Sequence, residues 1–180
     1  MKVTPTQLAG VMLIEPDMHG DARGFFVETF HVQRYAEAAG VALAFVQDNH
    51  SRSRRGVLRG LHLQAARPQG KLVRVSRGEV FDVAADIDPK SPTFGCWVGV
   101  TLSDTNQHQL WIPPGYAHGF LVLSDVADFE YKCTDYYHPQ SEVGVVWNDP
   151  DLGIEWPLEK PTLSEKDRAL PTLAELTRSR

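Results

Sequence analysis

Cysteine is scarce in this chain of 180 residues: there are two, Cys96 and Cys133, in dissimilar contexts and without a CxxC pair. Such spacing gives no disulfide framework, and a reducing cytoplasm is the expected setting. Long apolar runs are missing as well. No window approaches the ~18 consecutive apolar residues of a membrane-spanning helix, and the opening residues MKVTPTQLAG lack the apolar core of a secretion signal. Positive charge is in deficit, with 18 Lys and Arg against 23 Asp and Glu and a formal net charge of -5. That balance excludes a general nucleic-acid surface, while leaving room for a few arginines gathered around one anionic ligand. Repeats, low-complexity stretches and linker-like shifts of composition are also absent, so one domain over 1–180 is expected. At this length a chain buries roughly two thirds of the surface its unfolded form exposes, and no second stabilising device is required.

Short extended runs are what the chain does contain. The clearest spans 79–87, where Phe81, Val83, Ala85 and Ile87 alternate with Val80, Asp82, Ala84 and Asp86; one face is apolar and the other carries two carboxylates. Similar runs over 57–64, 71–75, 97–102, 109–112, 119–123, 128–133 and 143–147 are separated by Gly, Pro, Asp, Asn or Ser. Many short strands with this punctuation predict an all-β sandwich or barrel. Helix is a minor component, expected over 31–39 closed by Gly40 and in the tail from Ser164 onward, where Ser164 with Asp167 forms a weak capping box.

The densest unusual segment is the basic run 52–71, preceded by Gln47, Asp48, Asn49 and His50. As a solvated loop leading into a strand it needs no function. Its detail points further, because His62 is flanked by leucines with Arg59 three residues before it and Lys71 nine after. Cations beside an imidazole in apolar surroundings favour the uncharged ring, the form a base needs. Arg59 and His62 are an odd number of residues apart and would point to opposite faces of a regular strand; a bulge at Gly60 would turn both the same way. Further on, WIPPGYAHGF at 111–120 delivers His118 at the start of an apolar strand. FEYKCTDYYHPQSE at 129–142 offers Tyr131 in phase with Phe129 and Cys133, then Tyr136, Tyr137 and Glu142. Aromatics in phase on a strand are usually core, whereas Tyr136 and Tyr137 lie beyond it and suit stacking on a planar ring. DARGFFVETF at 21–30 holds Arg23, Phe26 and Glu28, and LSEKD places Lys166 and Asp167 in a helix's first turn, where an acid is favoured by the helix dipole whatever else it does.

Together RGFF, FVQDNHS, VLRGLHLQ, QGKLVRV, GEVFDVAADI, SPTFG, LWIPPGYAHGF, EYKCTDYY, WNDPDLGIEWP and LSEKD closely resemble the dTDP-4-dehydrorhamnose 3,5-epimerase family, in order over about residues 20 to 170. The resemblance implies a cupin jelly-roll barrel with the site in one mouth, and a homodimer whose subunits exchange strands. It implies His62 as base, Asp167 as its dyad partner, Tyr131 as the acid on the opposite face of the sugar and Lys71 at the enolate oxygen. Arg23, Phe26, Glu28, Gln47, Asn49, Arg59, His118, Glu142 and Lys166 match the family's nucleotide-sugar contacts, and Tyr137 matches the aromatic that stacks on thymine. The implied reaction inverts carbons 3 and 5 of dTDP-4-keto-6-deoxy-D-glucose to give dTDP-4-keto-L-rhamnose; relatives that act on one carbon keep the same acid–base residues.

Such chemistry is coherent on its own terms. A ketone at carbon 4 acidifies the hydrogens on carbons 3 and 5, and removing one and returning it from the other face inverts that centre. It needs a base, an acid opposite, and positive charge at the developing oxyanion. Histidine, titrating near about 6.5, suits the base, and tyrosine, near about 10, stays protonated and suits the acid. No cofactor or metal is demanded. A metal-dependent cupin is the rival reading, but its HxH motif reads His62-Leu63-Gln64 here and no glutamate follows at the expected short spacing; two histidines without a carboxylate make a poor first-row metal site.

Overall fold

Among the described residues, 1–178, the computed structural model resolves the alternating segments into thirteen strands and three short α-helices. In chain order these are β1 (Lys2–Pro5), β2 (Met12–Glu15), β3 (Met18–Asp21), β4 (Gly24–Val27), α1 (Val32–Ala39), β5 (Gln47–Arg54), β6 (Leu58–Gln64), β7 (Lys71–Arg77), β8 (Glu79–Ala85), β9 (Trp97–Ser103), β10 (Gln109–Ile112), β11 (Ala117–Val122), β12 (Val126–Cys133), β13 (Glu142–Gly144), α2 (Glu165–Arg168) and α3 (Leu173–Arg178). The last two positions of the expected domain and of the helical tail lie outside the described residues. Two antiparallel sheets form, one in the order β1-β2-β10-β7-β12-β5 and the other β13-β6-β11-β8-β9, while β3 and β4 make a separate hairpin. Neighbours distant in sequence, such as β10 between β2 and β7, give the wiring of the expected cupin jelly roll.

Three apolar layers hold it. Between the sheets, Val73, Val75, Leu110, Ile112 and Phe129 from the first meet Val80, Ala84, Leu102, Phe120 and Val122 from the second. On the outer side of the five-stranded sheet, Leu61, Val83, Ala85 and Ala117 are covered by Val145, Leu152, Leu173 and Leu176 of the carboxy-terminal segment. Outside the six-stranded sheet, Tyr35 and Ala39 of α1, four residues apart on one helical face, pack on Ile14, Leu72 and Trp111. His31 caps that helix by accepting from the Arg34 N–H, and Gly40 ends it at φ 67°, a left-handed conformation suited to glycine.

Both faces of β8 are covered: Asp82, and Asp86 just after the strand, are 0% and 3% exposed, because one side of the strand looks into the barrel and the other lies under the tail. Residues 47–54, which the sequence did not mark as a strand and whose last three open the basic run 52–71, are the edge strand β5, paired with β12 from Gln47↔Cys133 to Arg54↔Val126. Its alternation sets Gln47, Asn49, Ser51 and Ser53 inward against exposed charged partners. No apolar residue marks that period, because the inner face lines a polar cavity.

Candidate active site

Strand β6 carries the first group. His118↔His62 and Phe120↔Arg59 are partners across β11 and β6, with one residue between them on β11 and two on β6. The extra residue is the expected bulge, and it brings Arg59 and His62 to one cavity. Only glycine fits at position 60: φ is 114°, and a Cβ there would sit 2.6 Å from both Gly119 Cα and the His118 carbonyl.

Asp167 is delivered by the tail. Leu58 N–H donates to Thr162 O and Thr162 N–H to Gly56 O, pinning the segment before α2 alongside β6. Ser164 then caps α2, its Oγ accepting from Asp167 N–H at 3.1 Å and donating to Asp167 Oδ2 at 2.7 Å. This leaves Oδ1 aimed at His62 Nε2, 2.7 Å away. Burial acts to raise the Asp167 carboxyl, but His62 and Ser164 outweigh it and hold it below the ordinary range. On the ring's other side, Nδ1 lies 3.8 Å from Glu142 Oε1. While Arg59 and Lys71, the cations expected near it, line the same cavity, the ion-pairing partners of this imidazole are carboxylates, Asp167 among them as the resemblance implies. Being at different nitrogens of one ring, they do not converge on a point, and among the described residues no three His, Cys, Asp or Glu side chains gather as a metal would require.

From the six-stranded sheet come Tyr131 on β12 and Lys71 on β7, both lining the same space. Tyr131 is inward with Phe129, ring centroids 6.0 Å apart, and burial pushes its phenol above the usual value. Burial likewise lowers the Lys71 ammonium, against Cys133, Glu142 and Asp82, which act to raise it. Imidazole and phenol thus enter one cavity from opposite sheets. Its inner chamber, about 450 Å³, is lined by Phe120, Phe129, His118 and Thr162; the outer one, about 400 Å³, by Gln47, Asn49, Tyr137 and Glu142. Arg59, His62, Lys71, Tyr131 and Lys166 line both.

In the outer chamber Tyr137, 54% exposed, donates its hydroxyl to Glu142 Oε2 at 3.1 Å. Lys166 forms an ion pair with the other Glu142 oxygen. Burial would raise the Glu142 carboxyl, yet Lys166, His62 and Tyr137 together keep it low. Gln47 Nε2 donates to Asn49 Oδ1 at 3.1 Å, and Arg59 Nε to Ser53 Oγ at 3.1 Å. His118, 8% exposed, sets Nε2 2.9 Å from Asp82 Oδ2 and stacks on Phe129. Asp82 went unassigned in the sequence, its only signal being a carboxylate within an alternating strand. Ser164 was noted there as a cap rather than as a hand on the carboxylate.

Three candidates stand elsewhere. Arg23 pairs with Asp21 and its side chain is 90% exposed, Phe26 is 69% exposed on the β3–β4 hairpin, and Glu28 pairs with Arg34. None lines the cavity of its own chain.

Against known proteins, the model of the dTDP-4-dehydrorhamnose 3,5-epimerase family matches residues 5–175. The chain is similar to the Pseudomonas aeruginosa dTDP-4-dehydrorhamnose 3,5-epimerase, 57% identical over 169 residues covering 93% of each chain. Its counterpart in Escherichia coli is 54% identical over 180 residues, 99% of this chain and 97% of that one. Among solved structures, the dTDP-6-deoxy-D-glucose-3,5-epimerase of Legionella pneumophila in complex with dTDP-4-keto-L-rhamnose superposes with a TM-score of 0.93 at 57% identity, covering 96% of this chain and 93% of that one. Matched nearly end to end in sequence and in fold, the chain belongs to the dTDP-4-dehydrorhamnose 3,5-epimerase family.

Proposed function

We propose that this epimerase inverts carbons 3 and 5 of dTDP-4-keto-6-deoxy-D-glucose, giving dTDP-4-keto-L-rhamnose. The observation that carries the reading is the entry of His62 and Tyr131 into one cavity from opposite sheets, since inversion requires removal and return of a proton on opposite faces of one carbon. His62 takes the proton beside the ketone, and Asp167 orients the ring and stabilises the imidazolium that forms. The electron pair moves to the carbon 4 oxygen, where the Lys71 ammonium stabilises the enolate. Tyr131 then gives its phenolic proton to the other face, the enolate collapses to the ketone, the phenolate regains a proton from solvent, and the His62 imidazolium releases to solvent the proton it took. No redox cofactor or metal enters this sequence of steps.

In the outer chamber Tyr137 stacks on thymine, while Arg59 and Lys166 hold the diphosphate; His118, Gln47, Asn49 and Glu142 contact the nucleotide sugar. The exposed hairpin supports a homodimer in which Arg23, Phe26 and Glu28 reach the partner's site. A cytoplasmic setting agrees with two free thiols, Cys96 and Cys133, and no helix among the described residues is long and apolar enough to cross a membrane. Proton NMR of the 4-keto substrate with enzyme in heavy water tests the reaction. Deuterium at both carbons is expected; deuterium at one alone would replace the reading with a mono-epimerase.

A further inference from the structure

Tyr137 stands on a loop, residues 134–138, with no regular structure of its own; its hydroxyl donates to Glu142 and its N–H to Gln47 Oε1 at 2.9 Å, and the backbone beside it has a further anchor. Backbone groups on either side of it converge on one side chain. Gln64, two residues after His62 on β6 and 4% exposed, donates from Nε2 to Tyr136 O at 3.2 Å and accepts at Oε1 from His138 N–H at 2.7 Å. Its second N–H donates to Arg67 O at 2.7 Å, in the loop between β6 and β7. Both donors and the acceptor of the amide are therefore used, and all three bonds tie loops at the mouth of the outer chamber. Few other side chains could replace it, because the site asks for two donors and an acceptor on one planar group. A carboxylate would set an oxygen against two carbonyls, and an apolar chain would leave the Tyr136 and Arg67 carbonyls and the His138 N–H without this partner.

We infer that Gln64 is a positioning residue for nucleotide recognition, clamping the backbone before and after Tyr137 so that the ring is presented ready to stack. The inference rests on the reading of Tyr137 as the thymine platform. It also accounts for the amide at the place where metal-binding cupins carry a second histidine: the position is occupied in holding the nucleotide end of the site. A loop ordered before binding does not have to be ordered during it, so the effect falls on affinity and KM rather than on proton transfer.

A double-mutant cycle on the full-length enzyme tests this, with Gln64→Met, Tyr137→Ala and the pair titrated with thymidine diphosphate by calorimetry. Gln64→Met keeps the shape and should weaken binding by about 5- to 20-fold, the worth of one or two neutral hydrogen bonds, and raise KM to match with kcat within about twofold. In the Tyr137→Ala background the same change should cost nothing further, since the ring it positions is gone. Equal losses in both backgrounds, or unchanged affinity in Gln64→Met, would overturn the inference. Unchanged affinity in Tyr137→Ala alone would instead sink the stacking reading, and the inference with it. Should Gln64→Met fail to fold, Gln64→Glu, which retains the acceptor for His138 N–H, is read in the same cycle.

Discussion

At the residue scale the two proton-transfer groups differ in environment. Tyr131 is shielded, and burial keeps its phenol protonated well into the alkaline range. His62 is a quarter exposed and flanked by Asp167, whose carboxyl stays ionised. Each should fail at a different step. His62→Ala should abolish both deuterium exchange from heavy water and inversion, because no enolate forms. Tyr131→Phe removes only the hydroxyl, so the enolate still forms and His62 returns the proton to the original face. Exchange should then persist while inversion falls by roughly 100-fold or more, the usual worth of a positioned acid. One NMR time course reads both quantities. If exchange and inversion fell together in the phenylalanine variant, Tyr131 would be acting at or before deprotonation and its opposite-face role would have to be dropped.

The element on which the site turns is the bulged strand β6. Without the extra residue between Arg59 and His62, one of the two would face the covering tail instead of the cavity. Gly60→Ala would drive a methyl into the Gly119 backbone and strain a backbone angle of 114°. A loss of about 2 to 5 kcal/mol is expected from strain and overpacking together, measured by urea unfolding. Activity should fall further than stability alone explains, because β11 can relieve the clash only by moving His118. A variant of wild-type stability and rate would show that the close approach is not required. Helix α2 has a comparable place: four residues long, it is held by the Ser164 cap and the Val57↔Thr162 bridge, and it brings Asp167 to the base.

For the whole molecule, the outer face of the six-stranded sheet is tied by charge. Arg52 donates to both oxygens of Asp128 at 2.6 and 2.7 Å, and His50 lies 3.4 Å away. The Arg52 hydrogen bonds pull the Asp128 carboxyl from 3.8 down to about 2, with His50 assisting against the opposing effect of burial. A depressed carboxyl stabilises the fold fully above its unfolded value and loses that contribution as pH falls through its folded one, so the window runs from about 4 down to 2. With the guanidinium largely exposed and screened, about 1 kcal/mol is at stake. Asp128→Asn should be less stable by this amount at neutral pH and should show a shallower decline between pH 4 and 2 in acid unfolding. Parallel curves for the two proteins would rule Asp128 out of the acid response. At the level of assembly, Phe25 and Phe26, 57% and 69% exposed on the hairpin, should be covered by a second copy. Light scattering is expected to give a dimer, and a fully active monomer would refute it.

By itself the sequence determined the all-β architecture, the glycine-capped helix and most strands, since period-two alternation and turn residues act locally. It also named most of the side chains that line the cavity, though not Asp82 behind His118, and with Arg23, Phe26 and Glu28 standing elsewhere; and it pointed to a bulge, because Arg59 and His62 are an odd number of residues apart around a glycine. What only the tertiary structure decided were contacts between segments far apart in the chain. Asp167 meets His62 because a tail more than ninety residues later packs along β6. The nearness of Glu142 to the other ring nitrogen has no signal around position 62, and it sets a second carboxylate at the base while Arg59 and Lys71 line the same cavity. Strand β5 escaped the pattern because its inward face is polar, with Gln47, Asn49, Ser51 and Ser53 where an ordinary strand would carry apolar residues. Gln64 read as an absent histidine until the loops it joins were brought together, for a hydrogen bond between residues 64 and 138 leaves no period in a sequence.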